Sequence, residues 1–124
     1  MIDQAVKQYF AALDSLDPER YVACFSEDAI VHDPVGTPPH RGHAGLRAFL
    51  TGIAGLVREV RFTIEYVNVA GNEAAIKWRA TSTGMNGKTV DFEGIDTMEF
   101  DASGKIRVAK GFWNAGPALS AWMS

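Results

Sequence analysis

The chain has a single cysteine, Cys24, so no disulfide can close within it. Cys24 lies among apolar neighbours and reads as a small core residue. No apolar run approaches the ~20 residues that a membrane-spanning helix needs. The first ten residues, MIDQAVKQYF, carry acid and amide groups where a secretory signal would carry basic ones, so a cytoplasmic location is expected. Twelve Lys and Arg stand against fifteen Asp and Glu, for a net charge of −3. No basic patch interleaved with aromatics is present, which argues against nucleic acid as a partner. His32, His40 and His43 lie close together in sequence, but their spacing fits no firm zinc pattern. Glycine-rich phosphate loops, a serine nucleophile elbow and a Cys-x-x-Cys pair are all missing. Neither a metal nor a cofactor is expected.

The 124 residues, 47% of them hydrophobic and 22% charged, are enough for one globular domain over 1–124. Ile2, Val6, Tyr9 and Leu13 recur at helical spacing. Asp17-Pro18 reads as an N-cap followed by proline at the first helical position, opening a short helix that turns Tyr21, Val22 and Phe25 inward. "AIVHD" is a short strand. Leu46, Phe49, Leu50 and Ile53 return to helical period between Ala44 and about Leu56. Four strand-like runs follow: RFTIEYVNV, AAIKWRATST, TVDFEGIDTMEF and KIRVAKGFWN. Gly71-Asn72, Asn86-Gly87 and Ser103-Gly104 separate them as hairpin signals. Three helices followed by a meander predict an α+β fold, with the N-terminal helices packed on a strongly curved antiparallel sheet. Residues 114–124 read as a short tail packing on the sheet or on a partner.

The run from Val90 to Phe100 carries the most information. Period two places Val90, Phe92, Gly94, Asp96, Met98 and Phe100 on one face. That face is apolar except for Asp96. Burial there raises a carboxyl pKa, and a protonated carboxyl donates a hydrogen bond where a carboxylate cannot. The bland alternatives are an ion pair with Arg or Lys, or a bulge that flips the register. Tyr9 poses the same question on the first helix: its ring belongs to the core, while its hydroxyl needs a partner. Asp33 closes a strand inside VHDPVGTPPHRG, where Asp-Pro is also a common turn starter. Pro34, Pro38 and Pro39 stiffen that loop, and Gly36 and Gly42 permit its bends, so the loop reads as a rigid mount for one carboxylate. An ionised carboxylate, a phenol and a neutral carboxylic acid make a usable set. The first can take a proton from carbon alpha to a carbonyl, and the other two can hold the resulting enolate oxygen.

With those residues in place, the chain resembles the bacterial steroid Δ5-isomerases (ketosteroid isomerases) of the nuclear-transport-factor-2-like, or SnoaL-like, superfamily. HDPVGTPPHRGHAGLRAFL resembles that family's Asp-Pro-x-Gly loop and following helix. IDTMEFDASGKI and GFWN match it again, and Tyr9 and Asp96 stand 24 positions before and 63 after Asp33. The pairing of an ionised aspartate base with a protonated aspartic acid is already the known scheme of that family. The resemblance implies Asp33 as general base, with Tyr9 and protonated Asp96 as the oxyanion hole. It implies a cone with an apolar pocket for a steroid or steroid-like ketone, and a homodimer. Phe25, Phe49, Leu50, Trp78, Phe92, Met98 and Trp113 are expected around the substrate.

The chain departs from the family pattern where Leu50 replaces a supporting tyrosine. Residues 51–80 match poorly. Within them, either Lys77 and Arg79 or Trp78 face the pocket, and the alternation of Ile76, Trp78 and Ala80 favours Trp78. An inward Arg79 would pair with Asp96 and keep it ionised. The alternatives are a polyketide cyclase of the same superfamily and a non-catalytic protein that binds an apolar small ligand.

Overall fold

The computed structural model describes all residues, Met1–Ser124. Helix α1 (Ile2–Ser15) and the short α2 (Pro18–Val22) lead into strand β1 (Phe25–His32). The two-residue β2 (His40–Arg41) and helix α3 (Gly42–Leu56) follow. Strands β3 (Val57–Ala70), β4 (Glu73–Gly84), β5 (Thr89–Phe100) and β6 (Ile106–Phe112) then form the meander, and α4 (Gly116–Trp122) closes the chain. The six strands make one sheet in the order β2-β1-β6-β5-β4-β3.

Local signals account for most of these boundaries. Asp17 caps α2 with its side chain accepting from the Glu19 amide at 2.9 Å, ahead of Pro18 at the first helical position. Gly71, Gly87 and Gly104 all take positive φ at the three hairpin turns. Two expectations need correction. The sheet is mixed rather than purely antiparallel, because β1 pairs with β6 in parallel. Phe25 opens β1 instead of ending the preceding helix, so β1 begins four residues earlier than AIVHD. The chain turns directly from α2 into extended backbone, and the polar Ser26, Glu27 and Asp28 hide this from hydrophobic periodicity.

The sheet's inner face holds the core. On β5, Gly94, Asp96, Met98 and Phe100 are buried, while Asp91, Glu93 and Ile95 are exposed. On β4, Ile76, Trp78, Ala80 and Ser82 point inward. Helix α1 buries Val6, Tyr9, Phe10 and Ala12, and α3 buries Leu46 and Leu50. Asp14 near the end of α1 accepts the Phe62 amide at 2.9 Å, which fastens that helix to β3.

The segment after Trp113 packs on the sheet as one of the two expectations had it, and does so as a fourth helix. Trp122 in α4 is buried and donates its indole N–H to Ser82 Oγ at 3.0 Å. The Asn86 amide, in the β4–β5 turn, donates to the carbonyls of Ala121, Trp122 and Ser124 at 2.8, 3.2 and 3.1 Å. The Trp122 and Ser124 carbonyls would otherwise be orphan acceptors at and past the helix end, while that of Ala121 also accepts from the Ser124 hydroxyl at 3.0 Å. Asn86→Ala should therefore lower stability by about 1–2 kcal/mol. Hydrogen exchange should quicken across residues 116–124 before it does elsewhere; unchanged protection there would show that apolar packing alone seats α4.

Candidate active site

Tyr9, Asp33 and Asp96 come from three separate elements and meet at one cleft between the helices and the inner face of the sheet. All three line it. The cleft is partly open to solvent, and thirteen of its fifteen lining residues are hydrophobic.

The loop after β1 carries Asp33. Its start is tied to the sheet: the Val35 amide donates to the Gly111 carbonyl at 2.8 Å, and the Thr37 hydroxyl donates to the Pro34 carbonyl at 2.7 Å. The Asp33–Pro34 peptide is cis, and Gly36 and Gly42 adopt φ of 101° and 67°. Asp33 keeps some surface at the cleft but is packed about by protein atoms. That loss of solvation pushes its carboxyl up to about 6, and the hydrogen bond from Trp113 acts the other way. Trp113 donates its indole N–H to Asp33 Oδ1 at 2.7 Å.

Asp96 is 5% exposed. Loss of solvation, followed by the nearby Asp33 charge, raises its carboxyl well above the ordinary aspartate range. The hydrogen bond from Trp78 and the nearby Tyr9 hydroxyl oppose that shift. The Trp78 indole N–H donates to Asp96 Oδ1 at 2.9 Å. Neither aspartate enters an ion pair. Tyr9 is fully buried in α1, and its phenol is raised well above 10 by burial and then by the Asp96 charge. It therefore stays protonated and able to donate.

The competing readings of β4 are resolved by its register. Trp78 faces inward at 3% exposure, opposite Gly94 on β5. Lys77 and Arg79 lie on the outer face, where Lys77 pairs with Glu65 at 2.7 Å and with Glu93 at 3.4 Å. Arg79 cannot reach Asp96 from there.

Of the residues expected around a substrate, Phe49, Leu50, Trp78, Phe92 and Trp113 line the cleft. Phe25 and Met98 do not. Phe25 packs edge-on against Tyr21 and Tyr9, with ring centroids 4.9 and 6.0 Å away, and so lies behind the phenol. Met98 is one pleat beyond Asp96, between Ala74 and Ala109, wholly in the core.

Several contributors escaped sequence reasoning. Phe62 and Trp122 complete the aromatic wall, at 5.2 Å from Trp78 and 5.8 Å from Phe92. Tyr21 is wholly buried beside Tyr9, and its hydroxyl has no hydrogen-bond partner of ordinary geometry. Two glycines make the site possible. A Cβ on Gly111 would stand 2.8 Å from Asp33 Oδ1 and 3.2 Å from Asp96 Oδ1, so the two carboxylates flank one bare stretch of β6. A Cβ on Gly94 would meet both Trp78 and Trp113 at 2.7 Å. Only the inward alternation of both positions hinted at this.

No group of three or more His, Cys, Asp or Glu side chains is arranged to hold a metal ion. No helix is long and apolar enough to cross a membrane.

Residues 6–109 match the model of the SnoaL-like domain. The chain belongs to the SnoaL-like family. Within that family, it is 32% identical over 115 residues to a steroid Δ-isomerase of Nocardioides simplex, covering 93% of this chain and 91% of the relative. Its fold is shared by SalBIII, an epoxide hydrolase/cyclase-like enzyme of pyran ring formation in the polyether salinomycin. That likeness has a TM-score of 0.81 at 24% identity, over 91% of this chain and 90% of the other. It is shared also by RV0760c of Mycobacterium tuberculosis, solved in complex with estradiol-17β-hemisuccinate. There the TM-score is 0.78 at 22% identity, over 89% and 91% of the two chains. The SnoaL-like cone thus holds here as four helices on a six-stranded mixed sheet that does not close.

Gly111→Ala tests the bare stretch of β6. Its methyl should displace the Asp33 carboxylate, break the bond from Trp113 and cost about 1–3 kcal/mol, as overpacking does. The Trp113 indole N–H resonance reports the outcome: an unshifted signal would mean that the carboxylates do not crowd this position.

Proposed function

We propose that this chain is a cofactor-independent isomerase that shifts a double bond in a 3-oxo-Δ5-steroid or a similar β,γ-unsaturated ketone. The observation that carries the reading is the setting of the two aspartates. Both face one apolar cleft, neither meets a cation, and each takes an indole N–H as its side-chain donor. Asp33, with a carboxyl near 6, is ionised at neutral pH and still basic enough to accept a proton. Asp96, raised further, stays protonated and can donate. In this reading Asp33 removes the proton at C4, the electron pair moves into a dienolate, and Tyr9 and Asp96 hydrogen-bond its oxygen. Asp33 then returns the proton to C6, leaving the conjugated 4-ene-3-ketone. The aromatic wall of Phe92, Trp113, Trp78 and Phe62 suits a flat apolar body with its one polar end at the aspartates. The kinship to a steroid Δ-isomerase supports the same reading.

The test is ultraviolet absorbance of the wild type and Asp33→Asn with a 5-ene-3-ketosteroid. Conjugation should appear with the wild type. It should fall by several orders of magnitude in the variant, while steroid binding persists. Because the base must be ionised, kcat/KM should decline as pH falls through about 6 rather than through the ordinary aspartate value near 4. A wild type that binds the steroid without conjugating it would favour a binding protein or a cyclase of this fold.

We also read the outer sheet face as the seat of a homodimer. Tyr66, Lys77, Ile95 and Phe112 follow one another across β3, β4, β5 and β6. The three apolar members are 52, 41 and 48% exposed, an exposed patch of the kind that marks association. Sedimentation should show a dimer that Ile95→Lys with Phe112→Lys converts to monomer. An unaltered profile would remove this face from the assembly.

A further inference from the structure

Asp96 can act as an acid only if its proton sits on a defined oxygen, and the structure contains a device that selects it. The indole N–H is a donor with no acceptor function. Trp78 aims it at Asp96 Oδ1 from 2.9 Å. A hydroxyl oxygen is a poorer acceptor than a carbonyl oxygen, so the bond favours the tautomer in which Oδ1 is the carbonyl. We propose that Trp78 is a positioning residue that confines the Asp96 proton to Oδ2 and so presets which oxygen donates to a ligand in the cleft. The inference rests on the reading of Asp96 as a neutral acid.

Three features of the packing support it. Trp78 is nearly fully buried and is held edge-on by Phe62, Phe92 and Trp113, with centroids at 5.2, 5.8 and 6.1 Å, which limits the ring's freedom to swing away. Gly94, its cross-strand neighbour, leaves the space that the indole's six-membered ring occupies, because a Cβ there would lie 2.7 Å from Trp78 Cζ2. Finally, the titratable groups near Asp96 are Asp33 from the loop after β1, Tyr9 from α1 and Tyr21 from α2, and no cation competes for Oδ1.

The experiment uses difference infrared spectroscopy on full-length protein without substrate, comparing the wild type, Trp78→Phe and Asp96→Asn at pH 8. Asp96→Asn identifies the C=O stretch of the protonated Asp96 as the band it removes. A hydrogen bond to the carbonyl oxygen lowers that stretch, so Trp78→Phe, which keeps an aromatic ring and removes the donor, should move the band to higher frequency. If the proton resided on Oδ1, the carbonyl would be Oδ2 and the band would not move; that result overturns the inference and leaves the isomerase reading intact. If Asp96→Asn removes no band, Asp96 is ionised, and both the inference and its role as an acid fall. A shifted band in a protein that does not turn over steroid would uphold the inference and sink the isomerase.

Should Trp78→Phe not fold, the Trp78 indole resonance of the wild type serves instead. It should move as Asp96 titrates and stay fixed with pH in Asp96→Asn; pH-independence in the wild type counts against the contact. In an active enzyme, Trp78→Phe should lower kcat about tenfold, the equivalent of one hydrogen bond, with KM nearly unchanged. Its alkaline limb should move to higher pH, because the lost donor had favoured the carboxylate. A rise in KM with an unmoved alkaline limb would mark Trp78 as packing only.

Discussion

Desolvation of two carboxylates against an aromatic wall is the constraint on which the rest of the site depends. A carboxyl group taken out of water resists ionisation, and neither Asp33 nor Asp96 is offered a cation in compensation. Each receives one neutral indole N–H, which can anchor a carboxyl oxygen without restoring the low pKa that an arginine would impose. The difference between the two groups follows from their surroundings. Asp33 lies at the cleft surface on a loop, while Asp96 is sealed in mid-strand with the Asp33 charge nearby. Proximity also makes the second ionisation harder than the first, so the pair tends to hold one proton between its members.

That electrostatic arrangement dictates much of the local backbone. Two carboxylates can flank the same point of β6 only because position 111 has no side chain, and the Trp78 indole and the Cβ of Trp113 can both approach β5 only because position 94 has none. Glycine weakens a strand by removing a packing side chain and adding chain entropy. Here both glycines stay in register with a neighbouring strand, Gly94 opposite Trp78 and Gly111 opposite Asp96. The loop that mounts Asp33 is bonded to Gly111 as well, through the Val35 amide. The segment of β6 that makes room for the base is thus the segment that holds its loop.

The order of elements was readable in the sequence because it rests on local chemistry. Helical spacing marked α1 and α3, Asp17-Pro18 marked α2, and three glycine turns divided the meander. The alternation of β5 alone exposed Asp96 as a polar group on an apolar face. What escaped was non-local. The parallel pairing of β1 with β6 joins segments far apart in the chain. Ser26, Glu27 and Asp28 gave the first half of β1 the polarity of a loop. Phe25 and Met98 have the composition of cleft residues, but whether an inward aromatic or thioether touches a cavity or another side chain depends on what stands opposite. Trp122 belongs to a tail whose role emerges only when Asn86 and Ser82 come near it.

Tyr21 shows how far that lesson reaches. By periodicity it is one more core aromatic of a short helix, and its ring does pack on Phe25 and Tyr9. Its hydroxyl is nevertheless wholly buried without a hydrogen-bond partner, the only side-chain polar atom of the chain in that condition. Leaving such a group unpaired costs about 1–3 kcal/mol. Its phenol is raised well above 10, by burial first and then by the charges of Asp33 and Asp96. Leu50 lines the cleft with an apolar side chain and offers no second phenol there. Tyr21, on α2, brings one to the neighbourhood of Tyr9, with ring centroids 6.0 Å apart. Tyr9 therefore stands between two environments: the cleft, which it lines together with Asp96, and the core, where the Tyr21 hydroxyl lies unpaired behind it.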